Sequence, residues 1–396
     1  MLKAAVIGTG MAGHELGLQL QQRADVAVVG AVDVNLSVAA RFCERFGGRA
    51  FASVGAMVRD AAPDLVAVAS TNSAHADNVI EAVEAGVQNV FCEKPLAIDL
   101  EDAARMVAVV EAAGVRTSLG FSGLEPGMVR ATEIVSSGRL GRILHAQVQL
   151  FRGYGFWGQE RINRRGVRSH HAAVMHPQES GGWTIHHACH MFFILTRMLG
   201  PARSVFGRLA SSTLAAPSEE LVTATLQFEN DASGALLDSI GSFRGLELIV
   251  IGTSGTMCFR DDLKKNAQSI AELTLHMEGA DQPDTERFPY KARGRTRLLE
   301  LVDAILQKCP SPITFKEAMD NLLICAAVRQ SSDLGLPVEL ANSNAAVCTH
   351  NSGRAAPHPC FSGDCAENRL ETAHLPSLGR GCGIKTLRWG ADEQRA

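Results

Sequence analysis

The first thirty-three residues constrain the fold of this 396-residue chain more than any other stretch. The apolar run from Lys3 to Ile7 predicts a short buried strand, and apolar residues at helical spacing predict a helix over 14–23. A second predicted strand covers 26–32 and ends at Asp33. The loop between the first strand and the helix reads Gly8-Thr9-Gly10-Met11-Ala12-Gly13. This order of strand, G-x-G-x-x-G loop, helix, strand and acid predicts a dinucleotide-binding unit.

Each glycine of that loop has a separate physical task. Gly8 permits a tight turn, Gly10 lets a pyrophosphate approach the backbone, and Gly13 lets the helix pack closely on the strand. The helix N-terminus adds unsatisfied N–H groups and a partial positive charge, which favour a phosphate. Asp33 follows Gly13 by twenty residues, the spacing at which a carboxylate accepts hydrogen bonds from ribose hydroxyls. An ordinary glycine turn in an α/β core does not account for Asp33.

The residues after Asp33 distinguish between the two nicotinamide cofactors. A 2′-phosphate requires a nearby cation and is repelled by a carboxylate. Val34, Asn35 and Leu36 follow Asp33, and the next cation along the sequence is Arg41. We therefore predict NAD rather than NADP as the cofactor.

Length and charge exclude several classes of protein. The chain is long enough for two domains, each with its own core. A net charge of -4 offers no large basic excess for binding nucleic acid, and no apolar run reaches the roughly 20 residues that span a bilayer. The N-terminus enters the first predicted strand directly, which predicts no secretory signal, and several cysteines lie among apolar neighbours as reduced thiols do. We expect a cytoplasmic protein with no nucleic-acid or membrane partner.

Alternation of strands and helices continues to about residue 120. Strands are predicted over 64–70, 88–92 and 115–119, and helices over 73–85 and 100–113. Nearly continuous apolar strands separated by helices indicate a parallel sheet that is covered on both faces. Ligands of such sheets bind at the carboxyl ends of the strands. The residues at those ends that we expect to line a cofactor crevice are Ser70, Thr71, Asn72, His75, Glu93, Lys94 and Pro95.

Beyond residue 121 the pattern changes to alternating apolar and polar residues, as in half-buried antiparallel strands. Strands are predicted over 143–151, 221–228, 234–243, 246–251, 256–259 and 272–277, and helices over 183–199, 297–307 and 315–331. The predicted fold class is α/β, with an N-terminal Rossmann domain and a C-terminal α+β domain on an open, mainly antiparallel sheet. The predicted domains are 1–120 and 121–340.

The last stretch, 341–396, shows no periodicity and is rich in Asn, Ser, Gly, Pro and His. Such a composition contributes little to a core, so we expect a disordered tail. Four cysteines fall there: Cys348, Cys360, Cys365 and Cys382. A zinc knuckle is the alternative, but their spacing fits no strong ligand template.

The N-terminal fingerprint together with Glu93-Lys94-Pro95 resembles the Gfo/Idh/MocA oxidoreductases, which include glucose-fructose and inositol dehydrogenases. Three further segments, at 136–143, 181–190 and 334–338, resemble family segments in the same order. The resemblance covers about residues 2–340. It implies that Lys94 lies near the nicotinamide and the substrate hydroxyl, that His190 is the acid/base, and that the Lys94-Pro95 peptide is cis. It also implies a homo-oligomer, a dimer or tetramer.

The chain departs from the family pattern at two places. His186 stands where the family's catalytic helix usually has an aspartate, and Phe121-Ser122-Gly123-Leu124 stands where an Asn and an Arg are frequent. A spacing of four places His186 and His190 on one helical face, where His186 can orient the substrate or tune His190.

Six of the thirteen histidines fall between residues 170 and 190. We read them as part of a polar pocket for a polyhydroxylated substrate. The predicted substrate-binding residues are Lys94, Trp157, Arg168, His176, His186, His187 and His190. A zinc site formed by His186, His190 and one loop histidine is the alternative. Because hydride transfer to NAD needs no metal, we predict none.

These features together predict an NAD-dependent oxidoreductase acting on a secondary hydroxyl or keto group of a sugar, glycoside, cyclitol or sugar acid. Histidine titrates near neutral pH and suits proton transfer, and a lysine beside the oxygen stabilises alkoxide character. Two alternatives remain open from the sequence. One is an NAD-dependent glycosidase acting by transient oxidation, and the other is a non-catalytic regulator that senses the nucleotide.

Overall fold

A computed structural model describes residues 1–153, 177–211, 218–241, 245–263, 269–289 and 296–340. The expected disorder after residue 340 lies outside the described residues and stays a prediction. Within the described residues, no helix is both long and apolar enough to cross a membrane.

The first sheet is parallel and has the strand order β3-β2-β1-β4-β5-β6. Its strands are β1 (Leu2–Ile7), β2 (Val26–Val32), β3 (Arg49–Phe51), β4 (Leu65–Val68), β5 (Asn89–Cys92) and β6 (Arg116–Leu119). Most of their side chains are apolar and buried, as in a parallel sheet that helices cover on both sides. The chain order reverses between β1 and β4, and ligands of doubly wound sheets bind at that point.

Helices α1 (Met11–Gln21), α2 (Leu36–Phe46), α3 (Val54–Ala61), α4 (His75–Glu84) and α5 (Leu100–Ala112) connect these strands. Several begin at a side-chain cap, because the first N–H groups of a helix need acceptors. Asn35, Ser53 and Asp99 accept hydrogen bonds at the starts of α2, α3 and α5. Helices α1 and α4 have no side-chain cap among the described residues.

The second sheet is open and mainly antiparallel, with the order β14-β13-β12-β11-β7-β10-β9-β8-β15. Its strands are β7 (Ile143–Gly153), β8 (Ala202–Ala210), β9 (Leu221–Phe228), β10 (Ser233–Gly241), β11 (Gly245–Gly252), β12 (Gly255–Asp261), β13 (Ile270–Met277), β14 (Asp284–Pro289) and β15 (Val338–Glu339). The pair β7–β10 is parallel and the other pairs are antiparallel. The predicted fold class is confirmed.

The remaining helices are α6 (Pro126–Ser136), α7 (Pro177–Ser180), α8 (Cys189–Leu199), α9 (Arg297–Leu306) and α10 (Phe315–Leu334), with a π-helical turn at Thr184–Ala188. The sequence predicted one continuous helix over 183–199. The structure is helical without a break over these residues, with the π-helical turn at Thr184–Ala188 followed directly by α8. The wider hydrogen-bond register of the turn was not predicted, because it is not visible in apolar periodicity.

Helix α9 returns late in the chain to cover the first sheet. Leu298, Leu301 and Val302 are buried in one cluster with Leu2 and Leu65. Arg23 forms an ion pair with Asp303 at 2.6 Å along the same contact. Residues from the predicted second domain therefore complete the core of the predicted first domain. The domain boundary between residues 120 and 121 stays a prediction.

Replacing Leu301 with Ala should therefore destabilise the nucleotide-binding sheet although the residue lies far along the sequence. Leu301 is fully buried, so the change should lower the free energy of unfolding by about 2–5 kcal/mol. Urea unfolding measures it. Leu306→Ala on the same helix is the matched control, because Leu306 is 44% exposed and should cost under about 0.5 kcal/mol. Equal effects from the two variants would show that α9 does not close this core.

Candidate active site

The glycine loop after β1 forms a close contact between backbone segments. Gly8 has a φ of 82°, in the left-handed region, and a Cβ on it would lie 2.5 Å from the Ser70 backbone nitrogen. A Cβ on Gly13 would overlap the Gly8 carbonyl oxygen. The two glycines let the loop, the start of α1 and the end of β4 approach one another, as a pyrophosphate site requires.

The N-terminus of α1 offers donors to a ligand. Gly10 occupies the N-cap position, and within the described residues no side chain caps this end and no acid lies in its first turn. The amides of Met11, Ala12 and Gly13 therefore keep the hydrogen-bonding capacity that helix N-termini direct at phosphate groups. These residues fit a dinucleotide pyrophosphate.

Asp33 stands at the end of β2 and is held against the glycine loop. One carboxylate oxygen accepts from the Thr9 N–H at 2.8 Å and from Thr9 Oγ1 at 3.0 Å, and the other accepts from the Asn35 N–H at 3.0 Å. A carboxylate has about four lone-pair positions, so it can still accept from ribose hydroxyls. Val34 is fully exposed, and no described cation forms an ion pair with Asp33.

His75, which follows β4, contacts the loop after β5. His75 is fully buried, and its Nδ1 lies 2.8 Å from the Pro95 carbonyl oxygen. Burial lowers the pKa of His75 to about 4, so the ring is neutral near pH 7. Since a carbonyl only accepts, His75 donates from Nδ1. The structure places His75 beneath the loop, and its direct contact with a cofactor stays a prediction, as do those of Ser70 and Thr71.

Lys94 occupies the loop after β5 and is 6% exposed. Its Nζ donates to the His186 carbonyl oxygen at 2.8 Å and lies 3.5 Å from His186 Nε2. The Lys94-Pro95 peptide is cis, as the family resemblance implied. Burial raises the pKa of the neighbouring Glu93, and the charge of Lys94 opposes that rise. The lysine amine is therefore held among histidines at the carboxyl edge of the sheet.

The π-helical turn and the start of α8 present three buried histidines. The ring centroids of His186 and His187 lie 5.6 Å apart, and those of His187 and His190 lie 6.3 Å apart. Trp183 packs against His187 at 4.1 Å between ring centroids. These ring contacts connect His186 to His190 through His187. Wide turns of this kind occur frequently at functional sites.

Two N–H groups contact the Nδ1 atoms of His186 and His190. Asn72 Nδ2 lies 3.0 Å from the Ser180 carbonyl oxygen and 2.9 Å from His186 Nδ1. The Ser122 N–H donates to His190 Nδ1 at 3.1 Å. The segment from Phe121, which departs from the family pattern, therefore contacts His190 directly. The structure brings together Asn72, Lys94, His186, His187 and His190.

Other predicted residues are not placed. Trp157, Arg168 and His176, together with His170 and His171, lie outside the described residues. Among the residues that are described, no group of three potential metal ligands comes together.

The comparisons with known proteins agree on one family. A sequence profile described as "Oxidoreductase family, NAD-binding Rossmann fold" matches residues 2–121. A second, described as "GFO/IDH/MocA C-terminal domain", matches residues 128–258. This chain belongs to the Gfo/Idh/MocA family.

Two curated relatives align with only part of this Gfo/Idh/MocA protein. Glucose-6-phosphate 3-dehydrogenase of Bacillus subtilis (strain 168) is 33% identical over 149 residues, which is 37% of this chain and 42% of the relative. Inositol 2-dehydrogenase 3 of Saccharopolyspora erythraea is 35% identical over 148 residues, 37% of this chain and 44% of the relative. The alignments span less than half the length of either relative.

Solved structures match along more of the chain. Levoglucosan dehydrogenase in complex with NADH and levoglucosan has a TM-score of 0.74 at 20% identity, covering 86% of this chain and 100% of that chain. At this identity the similarity shows the fold.

One network of hydrogen bonds that supports the histidine-bearing turn was not predicted from the sequence. Glu219 accepts from the Thr184 N–H at 2.7 Å and from Thr184 Oγ1 at 2.5 Å. Arg329 Nη2 donates to Glu219 at 2.9 Å and to the Gly181 carbonyl oxygen. Asp238 accepts from Trp183 Nε1 at 3.0 Å. No local motif marks these residues, because each contact joins segments 35 or more positions apart.

Burial opposes ionisation of Glu219, but Arg329 and the Thr184 donors outweigh it, so the pKa of Glu219 lies below its ordinary value. A carboxyl with a lowered pKa in the folded state stabilises the fold above its unfolded pKa, and that contribution disappears as pH falls through the folded pKa. Glu219 and Arg329 therefore hold the glycine-led start of the histidine-bearing turn at neutral pH.

Replacing Glu219 with Gln should lower the free energy of unfolding at pH 7 by about 1–3 kcal/mol, because Arg329 loses its counter-charge in a partly buried place. Urea unfolding at several pH values measures the difference from wild type. The difference should shrink below about pH 4.3, the ordinary glutamate pKa, since Glu219 then becomes protonated as well. The exposed Glu229→Gln is the control. A difference that is constant with pH would contradict this assignment.

Proposed function

We propose that this protein is an NAD-dependent oxidoreductase that transfers hydride between the nicotinamide and a secondary hydroxyl or keto group of a sugar, glycoside, cyclitol or sugar acid. The observation that carries the proposal is the position of Lys94. Its buried Nζ lies beside His186 at the carboxyl edge of the sheet that also carries the glycine loop. A nucleotide cradle and proton-transfer groups at one edge match the needs of alcohol oxidation.

The chain's own residues divide the work. The α1 amides and the Gly8–Gly13 loop would hold the pyrophosphate, and Asp33 would accept from the ribose hydroxyls. When bound, NAD supplies the acceptor for the hydride. Lys94 and His190 are the groups we assign to the reacting oxygen, one taking its proton and the other stabilising the charge that develops. Their burial excludes water from that position.

The substrate class rests on the polar character of the pocket and on the relatives. Three buried imidazoles and a lysine suit a ligand with many hydroxyls. The names of the compared proteins refer to glucose-6-phosphate, inositol and levoglucosan. The predicted contacts of Trp157, Arg168 and His176 with the substrate, and assembly into a homo-oligomer, stay predictions.

The choice of cofactor can be tested at Asp33. We expect NADH to bind more tightly than NADPH, because the carboxylate would repel a 2′-phosphate. Asp33→Ser combined with Val34→Arg should shift the ratio of dissociation constants toward NADPH, by removing that repulsion and adding a cation. Fluorescence titration of both cofactors measures the ratio, and Ser37→Arg alone, at an exposed position beyond the acid, is the control. Equal or tighter NADPH binding by the wild type would contradict the proposal.

The reaction itself can be tested with a panel of sugars, cyclitols and sugar acids with NAD, following NADH formation. On a substrate that the wild type oxidises, His190→Ala should reduce kcat by about two to four powers of ten, because it removes one of the two groups assigned to the reacting oxygen. NADH binding should survive, because the α1 loop and Asp33 hold the nucleotide. His276→Ala, an exposed histidine on β13, should change neither.

The outcomes separate the rival functions. A glycosidase would release an aglycone with no net NADH, and a nucleotide-sensing regulator would bind NADH and turn over nothing in the panel. Near-full turnover by His190→Ala would remove His190 from the chemistry.

A further inference from the structure

We propose that His186 and His190 are both held as Nε2–H tautomers, His186 by Asn72 and His190 by the Ser122 amide. Both rings then act as hydrogen-bond donors, and Lys94 is the group that takes up the substrate's proton. The assignment of the tautomers stands on the hydrogen bonds alone. The assignment of the proton acceptor rests on the proposed oxidoreductase function.

The amide of Asn72 has only one possible orientation. The Ser180 carbonyl oxygen can only accept, so the Asn72 atom 3.0 Å away must be the amide nitrogen. That nitrogen has two hydrogens, and its second contact is His186 Nδ1 at 2.9 Å. His186 Nδ1 therefore supplies a lone pair and has no proton. In a neutral imidazole the proton must then be on Nε2.

The same reasoning applies to His190 with a different donor. A backbone N–H can only donate, and the Ser122 N–H points at His190 Nδ1 at 3.1 Å. His190 Nδ1 is therefore also an acceptor, and the proton of the neutral ring is on Nε2. His75 shows the opposite arrangement, since its Nδ1 faces a carbonyl oxygen. The partner of Nδ1 is therefore a carbonyl oxygen in His75 and an N–H donor in His186 and His190.

The surroundings favour the neutral rings. His186 is 0% exposed and His190 is 6% exposed, and burial disfavours a charged imidazolium. Lys94 faces His186, His187 lies against both rings, and Glu93 is next to Lys94. A second proton on either ring would place an N–H against the N–H of Asn72 or Ser122. A charged His186 would also repel a charged Lys94.

The tautomers decide how a proton can move. His186 Nε2 lies 3.5 Å from Lys94 Nζ, and an Nε2–H cannot accept from an ammonium group. Neither histidine has a vacant Nε2 lone pair for the substrate's proton. Lys94 has one once its ammonium group has lost a proton, and its Nζ is also held by the His186 carbonyl at 2.8 Å.

Oxidation of the substrate then breaks two of its bonds, O–H and C–H. The O–H bond of the substrate breaks and its proton forms a bond to Lys94 Nζ. The electron pair of the C–H bond leaves as hydride to the oxidised cofactor, and the C=O double bond forms. Lys94 ends the step as an ammonium group and later loses its proton to water. His190 donates from Nε2 to the substrate oxygen, so its removal should cost about a hundred- to a thousand-fold in kcat, the usual effect of losing such a donor.

Nitrogen NMR of the protein without cofactor tests the tautomers directly. In protein labelled with ¹⁵N-histidine, long-range ¹H–¹⁵N correlations distinguish Nε2–H, Nδ1–H and imidazolium rings, and spectra of His186→Gln and His190→Gln assign the two residues. Both should show the Nε2–H pattern at pH 7. Either ring in the Nδ1–H or imidazolium form would overturn the proposal.

An isosteric change tests the role of Asn72 as a positioning residue. Asn72→Asp replaces the donor with an acceptor, so His186 should change to an Nδ1–H or imidazolium pattern. Asn78→Asp is the matched control, because the Asn78 amide donates to Ser70 Oγ and the Ala74 carbonyl and contacts no histidine ring among the described residues. An unchanged His186 signal in Asn72→Asp would show that Asn72 does not set the tautomer.

The pH dependence of kcat/KM on an accepted substrate tests the role of Lys94. The acid limb should persist in His190→Gln and disappear in Lys94→Met, whose residual rate should no longer fall at low pH. If His190→Gln instead removes the acid limb, His190 is the base and the proposal fails. If the wild type oxidises nothing, the proposed function fails, while the NMR experiment still decides the tautomers.

Discussion

The hydrogen bond from Lys94 Nζ to the His186 carbonyl oxygen joins the two halves of the site. A lysine amine that is 6% exposed needs partners, because an unpaired buried polar group is costly. The partner comes from a π-helical turn more than ninety positions along the chain. The loop after β5 and the histidine-bearing turn are therefore mutually dependent: neither keeps its buried polar groups satisfied without the other.

Further hydrogen bonds hold the two segments that form this contact. Asn72 connects the end of β4 to both Ser180 and His186, and the Glu219–Arg329 pair connects Thr184 and Gly181 to β9 and α10. His75 supports the Pro95 side of the loop. Polar groups buried in such a network specify one arrangement, since a partly satisfied network is less stable than an apolar core.

Much of the fold could be predicted from the sequence because its signals are local. Strand β2 and the end of β1 fall where the apolar run and the glycine fingerprint placed them, and the cis Lys94-Pro95 peptide followed from the family resemblance. Short edge strands such as β3 and β15 were missed, since two or three residues give no period. The π-helical turn was missed because a change of hydrogen-bond register leaves the apolar pattern intact.

The site was predictable in its residue types but not in its proton positions. Lys94, His186 and His190 could be selected from motif and spacing, but Asn72 was assigned to the cofactor. Its contact with His186 spans 114 positions, and the bond from Ser122 to His190 spans 68. Which nitrogen of a ring bears the proton depends on those distant donors, so it becomes visible only after folding.

The position of α9 has a consequence for how the protein is made. A ribosome that has completed residues 1–120 has released every strand of the first sheet, but Leu298, Leu301 and Val302, which cover one face of it, are still to be synthesised. The nascent nucleotide-binding segment must therefore wait, with apolar surface exposed, through the translation of nearly two hundred further residues. During that interval the exposed apolar surface is a natural binding site for chaperones. The order in which the strands are synthesised therefore differs from the order in which the core is completed.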